Sequence, residues 1–300
     1  MNIVTHSNDF HADDCLSTFF LKQIFDVASV VRTRDEEIIK KADIAYDVGG
    51  IYNNAALRFD HHQLGFNEFF PNSTIPLSSA GVIYRDFGRE ILLKLHPDLT
   101  PLQLDFMYNF IYFQFVQAID GNDNGVDAVE SAQINYVTHT TSLPSRVHRC
   151  NHISDFDAAV TLCQTDFTQF ASYIQLQILP QVSALKSAFE NRFVVHKSGQ
   201  VIKFSGSVSA ELINEFERQF DCDILFTVLE KDNQFRVVCV NQKNSFKLKK
   251  GLPEEWKGLR GEVLSQRSGI SGGVFVHKSG FMGVWETEES AMQALEKAMQ

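Results

Sequence analysis

The feature that most constrains this 300-residue chain is a set of short apolar runs near its amino end, each stopping on an acid or an imidazole. Ile3-Val4-Thr5 runs into His6, Ile44-Ala45-Tyr46 into Asp47, and Ala56 to Phe59 into Asp60-His61-His62. Runs this short, rich in β-branched and aromatic residues, predict strands. Val27 to Arg32 reads as another strand. Between them Leu16, Phe19, Phe20 and Ile24 recur at helical spacing, predicting a helix from near Asp13. Asp35-Glu36-Glu37 opens a short second helix with acids at its positive end. Strands and helices alternating over short connections predict an α/β fold with a doubly wound parallel sheet. Open sheets of this kind bind ligands beyond the carboxyl ends of their strands. The acids and imidazoles stand at those ends, so one pattern predicts both a fold and a site.

Taken singly, each position has an ordinary explanation. His6, His11 and Asp13 fit an exposed loop that caps a helix, where Asp is favoured. Asp47 before Gly49 and Gly50 fits a turn carboxylate. Asp120 follows the apolar helical stretch Leu102–Ile119, and an acid at the negative end of a helix asks for a cation nearby. Asp60-His61-His62 is the most distinctive cluster, because adjacent histidines point different ways: one could bind a metal while the other meets substrate. Together the four places predict a two-metal centre. Two ions about 3.5–4 Å apart can acidify a water held between them and clamp the attacking and leaving oxygens of a phosphate ester.

Farther along, Ser78 to about Leu95 predicts a helix, and Phe156 to Phe189 another that Pro180 ends or kinks. Arg192–Val195, Val201–Phe204, Ile224–Leu229, Phe235–Val240 and Phe246–Leu248 read as short strands around a helix at Ala210–Phe220, with an amphipathic helix at Glu288–Met299. The expected organisation is a metal-binding catalytic domain over 1–145, a helical connector over 146–195 and a smaller α+β domain over 196–300.

The net charge of −10 disfavours a general nucleic-acid coat protein but not a phosphoesterase, whose metals reverse the local sign. Five widely spaced cysteines without a C-x-x-C pair read as free thiols in a reducing compartment. No apolar run reaches the roughly 18–20 residues of a membrane span. No signal or transit peptide is read at the amino terminus, so cytoplasm or nucleus is expected. Between Lys243 and Arg267, seven basic residues stand against three acids, net +4 in a chain of −10. This is either a solvated lysine face or, with Gly272 and Gly273 just beyond it, the wall of an anion-binding cleft.

The motifs His6-x4-His11-x-Asp13, Asp47-Val48-Gly49-Gly50, Arg58-Phe59-Asp60-His61-His62-Gln63 and Ile119-Asp120-x-x-Asp123-Asn124-Gly125 occur in the order that resembles the MYG1 (UPF0160) family of the DHH phosphoesterase superfamily. Arg146-Val147-His148-Arg149, Trp256–Leu264 and Ser268–Phe281 extend the resemblance to nearly the whole chain. The resemblance implies a DHH-type domain followed by a DHHA1-like substrate-binding lobe, two Mn²⁺ or Mg²⁺ ions, and 3'→5' exonucleolysis of RNA. It implies that His6, His11 and Asp47 hold one ion, and Asp13, Asp47, His61 and Asp120 the other. His62 is expected to face the phosphate, with Arg58 and Asp123 supporting the site. In the second lobe Arg260, Gly272, Gly273, His277 and Ser279 are the expected substrate contacts. RNA, a short oligonucleotide or a nucleotide is the expected partner, a homodimer is compatible with the sequence, and no membrane is involved. The competing expectation keeps the metals but gives them a small phosphate compound: a dinucleotide, a nucleoside phosphate or pyrophosphate.

Overall fold

The structure is a computed structural model that describes residues 1–128, 139–206, 208–243 and 245–300. The chain divides into two compact units, Met1–Gln175 and Leu176–Gln300, with the break inside the stretch 146–195.

The first unit holds β1 (Asn2–Thr5), α1 (Ala12–Ile24), β2 (Ser29–Arg32), α2 (Glu36–Lys41), β3 (Ile44–Tyr46), β4 (Tyr52–Asn53), β5 (Arg58–Phe59), α3 (Ser79–Leu95), α4 (Pro101–Ile111), α5 (Gln117–Asp123), α6 (Leu143–Cys150) and α7 (Phe156–Tyr173). Its sheet runs β2-β1-β3-β5-β4, parallel except for the edge strand β4. The strand order reverses at β1: the crossover through α1 leads outward to β2, and the crossover through α2 returns past β1 to β3. Crossovers of one hand then place α1 and α2 on opposite faces, which makes the sheet doubly wound. Val4 and Ala45 pack with Ile39 and Val48 on the α2 side. On the other side α1 packs against α3 and α7. That packing explains why ten consecutive α1 residues, Ala12 to Leu21, are buried, a far wider apolar face than a surface helix shows.

The apolar stretch expected as one helix from Leu102 to Ile119 is α4 and α5 joined by a π-helical turn at Tyr112–Val116. Helix continues through Asp120 to Asp123, where the sequence suggested a loop. Part of the expected strand Ala56–Phe59 is a 3₁₀ turn, Asn54–Ala56, because Asn53 caps it by accepting from the Ala56 N–H.

The second unit holds α8 (Leu179–Glu190), α9 (Arg192–Val195), β6 (Val201–Ser205), α10 (Ala210–Phe220), β7 (Phe226–Lys231), β8 (Gln234–Cys239), α11 (Gly261–Ser268), β9 (Gly273–Val276), β10 (Met282–Trp285) and α12 (Glu288–Met299). Its sheet runs β6-β7-β8-β10-β9, parallel between β6 and β7 and antiparallel elsewhere, an α+β arrangement. Trp256, Trp285, Leu264 and Leu295 lie in its core. Arg192–Val195 is a helix rather than a strand: the N–H groups of Val194, Val195 and His196 are taken by carbonyls one turn back. Phe246–Leu248 makes no strand, only an isolated bridge between Leu248 and Asn241. The stretch expected as a helix from Phe156 to Phe189 is helical, and its regular winding is interrupted by a π-helical turn at Ile174–Ile178 just before Pro180, which stands in the first turn of α8. Among the described residues no helix is long and apolar enough to cross a membrane.

Candidate metal centre

The carboxyl ends of β1 and β3 flank the point where the strand order reverses, and His6 and Asp47 are the first residues beyond them. Asp47 sits at φ +55°, a left-handed conformation uncommon for any residue but glycine. Its N–H still donates to the Phe59 carbonyl, so the turn leaves β3 without breaking from β5. This conformation brings the Asp47 carboxylate among three imidazoles: His6 Nε2 at 3.2 Å, His61 Nε2 at 3.5 Å and His62 Nδ1 at 3.5 Å.

The first turn of α1 supplies the next acids. Asp13 and Asp14 are fully buried, and Asp14 lies 3.4 Å from His6 Nε2 while accepting the His11 N–H at 2.8 Å. His11 is exposed, with its ring stacked 5.5 Å from that of His6. From the end of α5, Asp123 reaches His61 Nε2 at 3.1 Å. The donor atoms fall into four overlapping groups, each with all its atoms within 4.8 Å of one another: His6, His11 and Asp47; Asp47, His61 and His62; His11, Asp13 and Asp123; Asp13, Asp14 and Asp47.

The electrostatics are those of crowded acids without enough positive charge. Burial, and then the neighbouring Asp47, Asp123 and Asp14, holds the Asp13 carboxyl well above the usual range. Burial and Asp47 push Asp14 up to about 7. Burial disfavours the Asp47 carboxylate too, but hydrogen bonds from His6 and His61 outweigh it and hold its pKa below the ordinary value. Burial opposes the charged form of His61, yet Asp123 and Asp47 win and raise it to about 10. Both oxygens of Asp13 and Oδ2 of Asp14 are buried without a hydrogen-bond partner, and the buried Nε2 atoms of His6 and His61 have only carboxylates around them, at 3.1–3.5 Å. Buried polar atoms left unmatched are costly. These atoms all belong to residues of the four donor groups and fit divalent cations, whose charge and coordination would satisfy them together.

Asp60 is buried and faces inward to its own loop: it accepts from the N–H groups of Gly50, His61 and His62 and from His62 Nδ1 at 2.7 Å. His62 is thereby oriented, while its side chain stays 62% exposed. The Asp60 carboxylate also raises the His62 imidazole.

Two expected site residues are placed elsewhere. Asp120 accepts from the Ser78 N–H at 3.0 Å, the Ser78 hydroxyl at 2.7 Å and the Tyr112 hydroxyl at 3.1 Å. It joins none of the four donor groups; the acid at the centre is Asp123, one helical turn later. Asp120 instead anchors the start of α3, where the Ser79 hydroxyl lies 3.5 Å from Asp47. Gly81 makes room for it, since a Cβ there would lie 2.2 Å from Asp120 Oδ1. Arg58 points to the amino ends of the strands, donating to the carbonyls of Lys40, Ala42, Asp43, Ala56 and Leu57. It closes the carboxyl end of α2, a favourable place for a cation, and does not reach the donor groups.

The other expected contacts lie in the second unit. His277 Nδ1 lies 2.8 Å from the Ser279 hydroxyl and accepts the Ser279 N–H. The Arg260 guanidinium lies over the Phe275 ring. Gly272 is at φ +70° with the Glu286 side chain beside its α-carbon, and Gly273 is held close to Leu264 and Ser265. The basic run is partly neutralised: Lys249 pairs with Glu217 and Asp223, Lys257 with Glu254, and Lys250 donates to the Met299 carbonyl.

Residues 2–299 match the family described as Uncharacterised protein family (UPF0160), MYG1_exonuc. The chain is 36% identical to "MYG1 protein" of Dictyostelium discoideum over 311 residues, covering 97% of this chain and 94% of that one. It is 35% identical to "MYG1 exonuclease" of Mus musculus, covering 97% and 82%. Among solved structures it is similar to a pGpG-specific phosphodiesterase from Vibrio cholerae, with TM-score 0.31, 16% identity and coverage of 99% and 97%. It is also similar to exonuclease RecJ bound to manganese, with TM-score 0.28, 13% identity and coverage of 99% and 88%. The chain belongs to the MYG1 (UPF0160) family.

Proposed function

We propose that this protein is a metal-dependent phosphodiesterase that shortens RNA from its 3' end. The observation that carries the reading is the cluster of buried acids and imidazoles around Asp47, with the Asp13 and Asp14 oxygens unmatched, at the switch point of a doubly wound sheet. The relatives named as exonucleases support it. In this reading His6, His11 and Asp47 hold one Mn²⁺ or Mg²⁺, and Asp13, Asp47, His61 and Asp123 the other. Bound there, such ions supply Lewis-acid activation of water and neutralise charge on phosphoryl oxygens.

The chain's own residues do the rest. Asp47, facing donors from β1, β3 and the His61 loop, ties the two halves of the site together. Asp14 holds the start of α1 through the His11 N–H and steadies His6. His62, gripped at Nδ1 by Asp60, presents Nε2 toward solvent and substrate. The Asp60 carboxylate favours the protonated imidazole, the form that can give a proton to a phosphoryl oxygen or to the departing sugar oxygen.

The test is incubation with Mn²⁺ and a 5'-labelled oligoribonucleotide. Stepwise shortening is expected, with turnover lost in Asp47→Asn and Asp123→Asn. An inert protein toward both RNA and DNA under every divalent metal sinks the proposal. A second reading, hydrolysis of a small phosphate compound, is favoured by the net charge of −10, which repels long polyanions. Turnover that falls as oligonucleotides lengthen would select it.

A further inference from the structure

Arg146-Val147-His148-Arg149 takes no part in the centre described above. Val147 is fully buried, and Arg146 pairs with Asp166 at 2.6 Å, so these two hold α6 in place. His148 and Arg149 are exposed in the last turn of α6 and line a cavity of about 440 Å³. His11 lines the same cavity, as does Asn122, the neighbour of Asp123. The cavity thus opens directly onto the donor groups.

Its walls are fixed to one another. The Asn151 side chain accepts the Phe10 N–H at 2.9 Å and donates to the Phe10 carbonyl at 2.8 Å. This two-way clamp ties the segment just after α6 to the loop that carries His11. Arg149 Nη1 donates to the Thr140 carbonyl at 2.7 Å, which orients the guanidinium and leaves most of its five donors free of that bond. Basic residues in a last helical turn also suit the helix dipole, but that role does not require them to face a cavity shared with His11.

We propose that this cavity is a phosphate subsite, in which His148 and Arg149 hold the phosphate next to the one being hydrolysed. The proposal rests on the phosphodiesterase reading above for the identity of its ligand. Its volume lies within the usual range for ligand pockets, about 300–1,000 Å³. Its chemistry suits a polyanion approaching an acidic chain: an oriented guanidinium and an imidazole beside the centre offer charge-assisted hydrogen bonds to non-bridging oxygens. A substrate with two or more linked phosphates gains from it; a diester with a single phosphate does not.

The test is fluorescence anisotropy of a dye-labelled short oligoribonucleotide with the full-length protein, in Ca²⁺ buffer lacking Mn²⁺ and Mg²⁺. Arg149→Gln and His148→Ala should each weaken binding about tenfold, the loss of one charge-assisted contact. Arg149→Gln should also reduce the slope of log affinity against log salt by about 0.7, the value for one neutralised phosphate on a single strand. Hydrolysis of bis(p-nitrophenyl) phosphate in Mn²⁺, which carries one phosphate, should be unchanged. Unaltered affinity and salt slope in both variants, or a parent that does not bind the oligonucleotide, overturns the subsite. If binding falls as stated but no phosphodiester is ever cleaved, the subsite stands and the phosphodiesterase reading fails.

Discussion

Substituting Gly81 by Ala isolates the contact that joins α3 to α5. Gly81 lies in the first turns of α3, where alanine is normally favoured over glycine by about 1 kcal/mol. Here the added Cβ would lie 2.2 Å from Asp120 Oδ1 and 2.5 Å from Oδ2, so the carboxylate must leave. Its departure strands the Ser78 N–H, the Ser78 hydroxyl and the Tyr112 hydroxyl in a fully buried position. Each stranded group costs about 1–3 kcal/mol. Set against the helical gain, Gly81→Ala should destabilise the first unit by about 2–8 kcal/mol, a fall in Tm of at least roughly 5 °C. Both tryptophans, Trp256 and Trp285, lie in the second unit. Unfolding is therefore followed by circular dichroism rather than indole fluorescence. Asp120→Ala alone should also destabilise, and in that background Gly81→Ala should become neutral or favourable. A Gly81→Ala protein as stable as the parent, or an equal cost in both backgrounds, refutes the assignment of Asp120 to α3.

Two further perturbations separate the centre from its scaffold. His61 in the metal-free protein keeps its proton to about pH 10, so binding Mn²⁺ must expel it. Calorimetry in buffers of different ionisation enthalpy should show proton release, and affinity should rise with pH from 6 to 9, by up to about tenfold per unit for each proton displaced; a pH-independent affinity refutes this. The same raised pKa gives the metal-free protein stability that is complete below the unfolded value near 6.5 and is lost as pH rises through about 10. Metal-free melting temperatures should accordingly fall across that window. Arg58→Ala should cost about 2–3 kcal/mol by denaturant titration, since it leaves the α2 carbonyls short of a donor. Its Mn²⁺ affinity should stay near the parent value, and a large loss would return Arg58 to the centre.

Much of the first unit was legible in the chain. Strands that end on His6 and Asp47, and a helix beginning beside Asp13, follow from short apolar runs and helical spacing, and the structure has all three. Asp120 was expected as the ligand and Asp123 as its support, and the structure sets them the other way round for a physical reason. Gly121 and Asn122 are poor helix formers, so the sequence suggests that helix stops before them. Packing overrides that preference, since Gly121 is buried close to Ile75. The helix continues and carries Asp123, rather than Asp120, to His61. Arg58 was expected beside the centre because its neighbours in sequence, His61 and His62, belong to the donor groups. Its side chain instead leaves a two-residue strand toward the amino ends of the strands, where the carbonyls of Lys40, Ala42 and Asp43 accept from it. The α9 segment Arg-Phe-Val-Val has strand composition, and only its hydrogen bonds to the preceding turn reveal a helix.

The π-turn at Tyr112–Val116 sets the angular phase of everything that follows it in the same rod. Removing one residue there would restore an ordinary α-helical winding and swing Asp120 and Asp123 about the axis by about 100°, one residue's rotation in a helix of 3.6 residues per turn. Ser78 and His61 would both lose their acid in a single stroke. The irregular turn therefore acts as a vernier, coupling the grip on α3 to the aim of the last carboxylate.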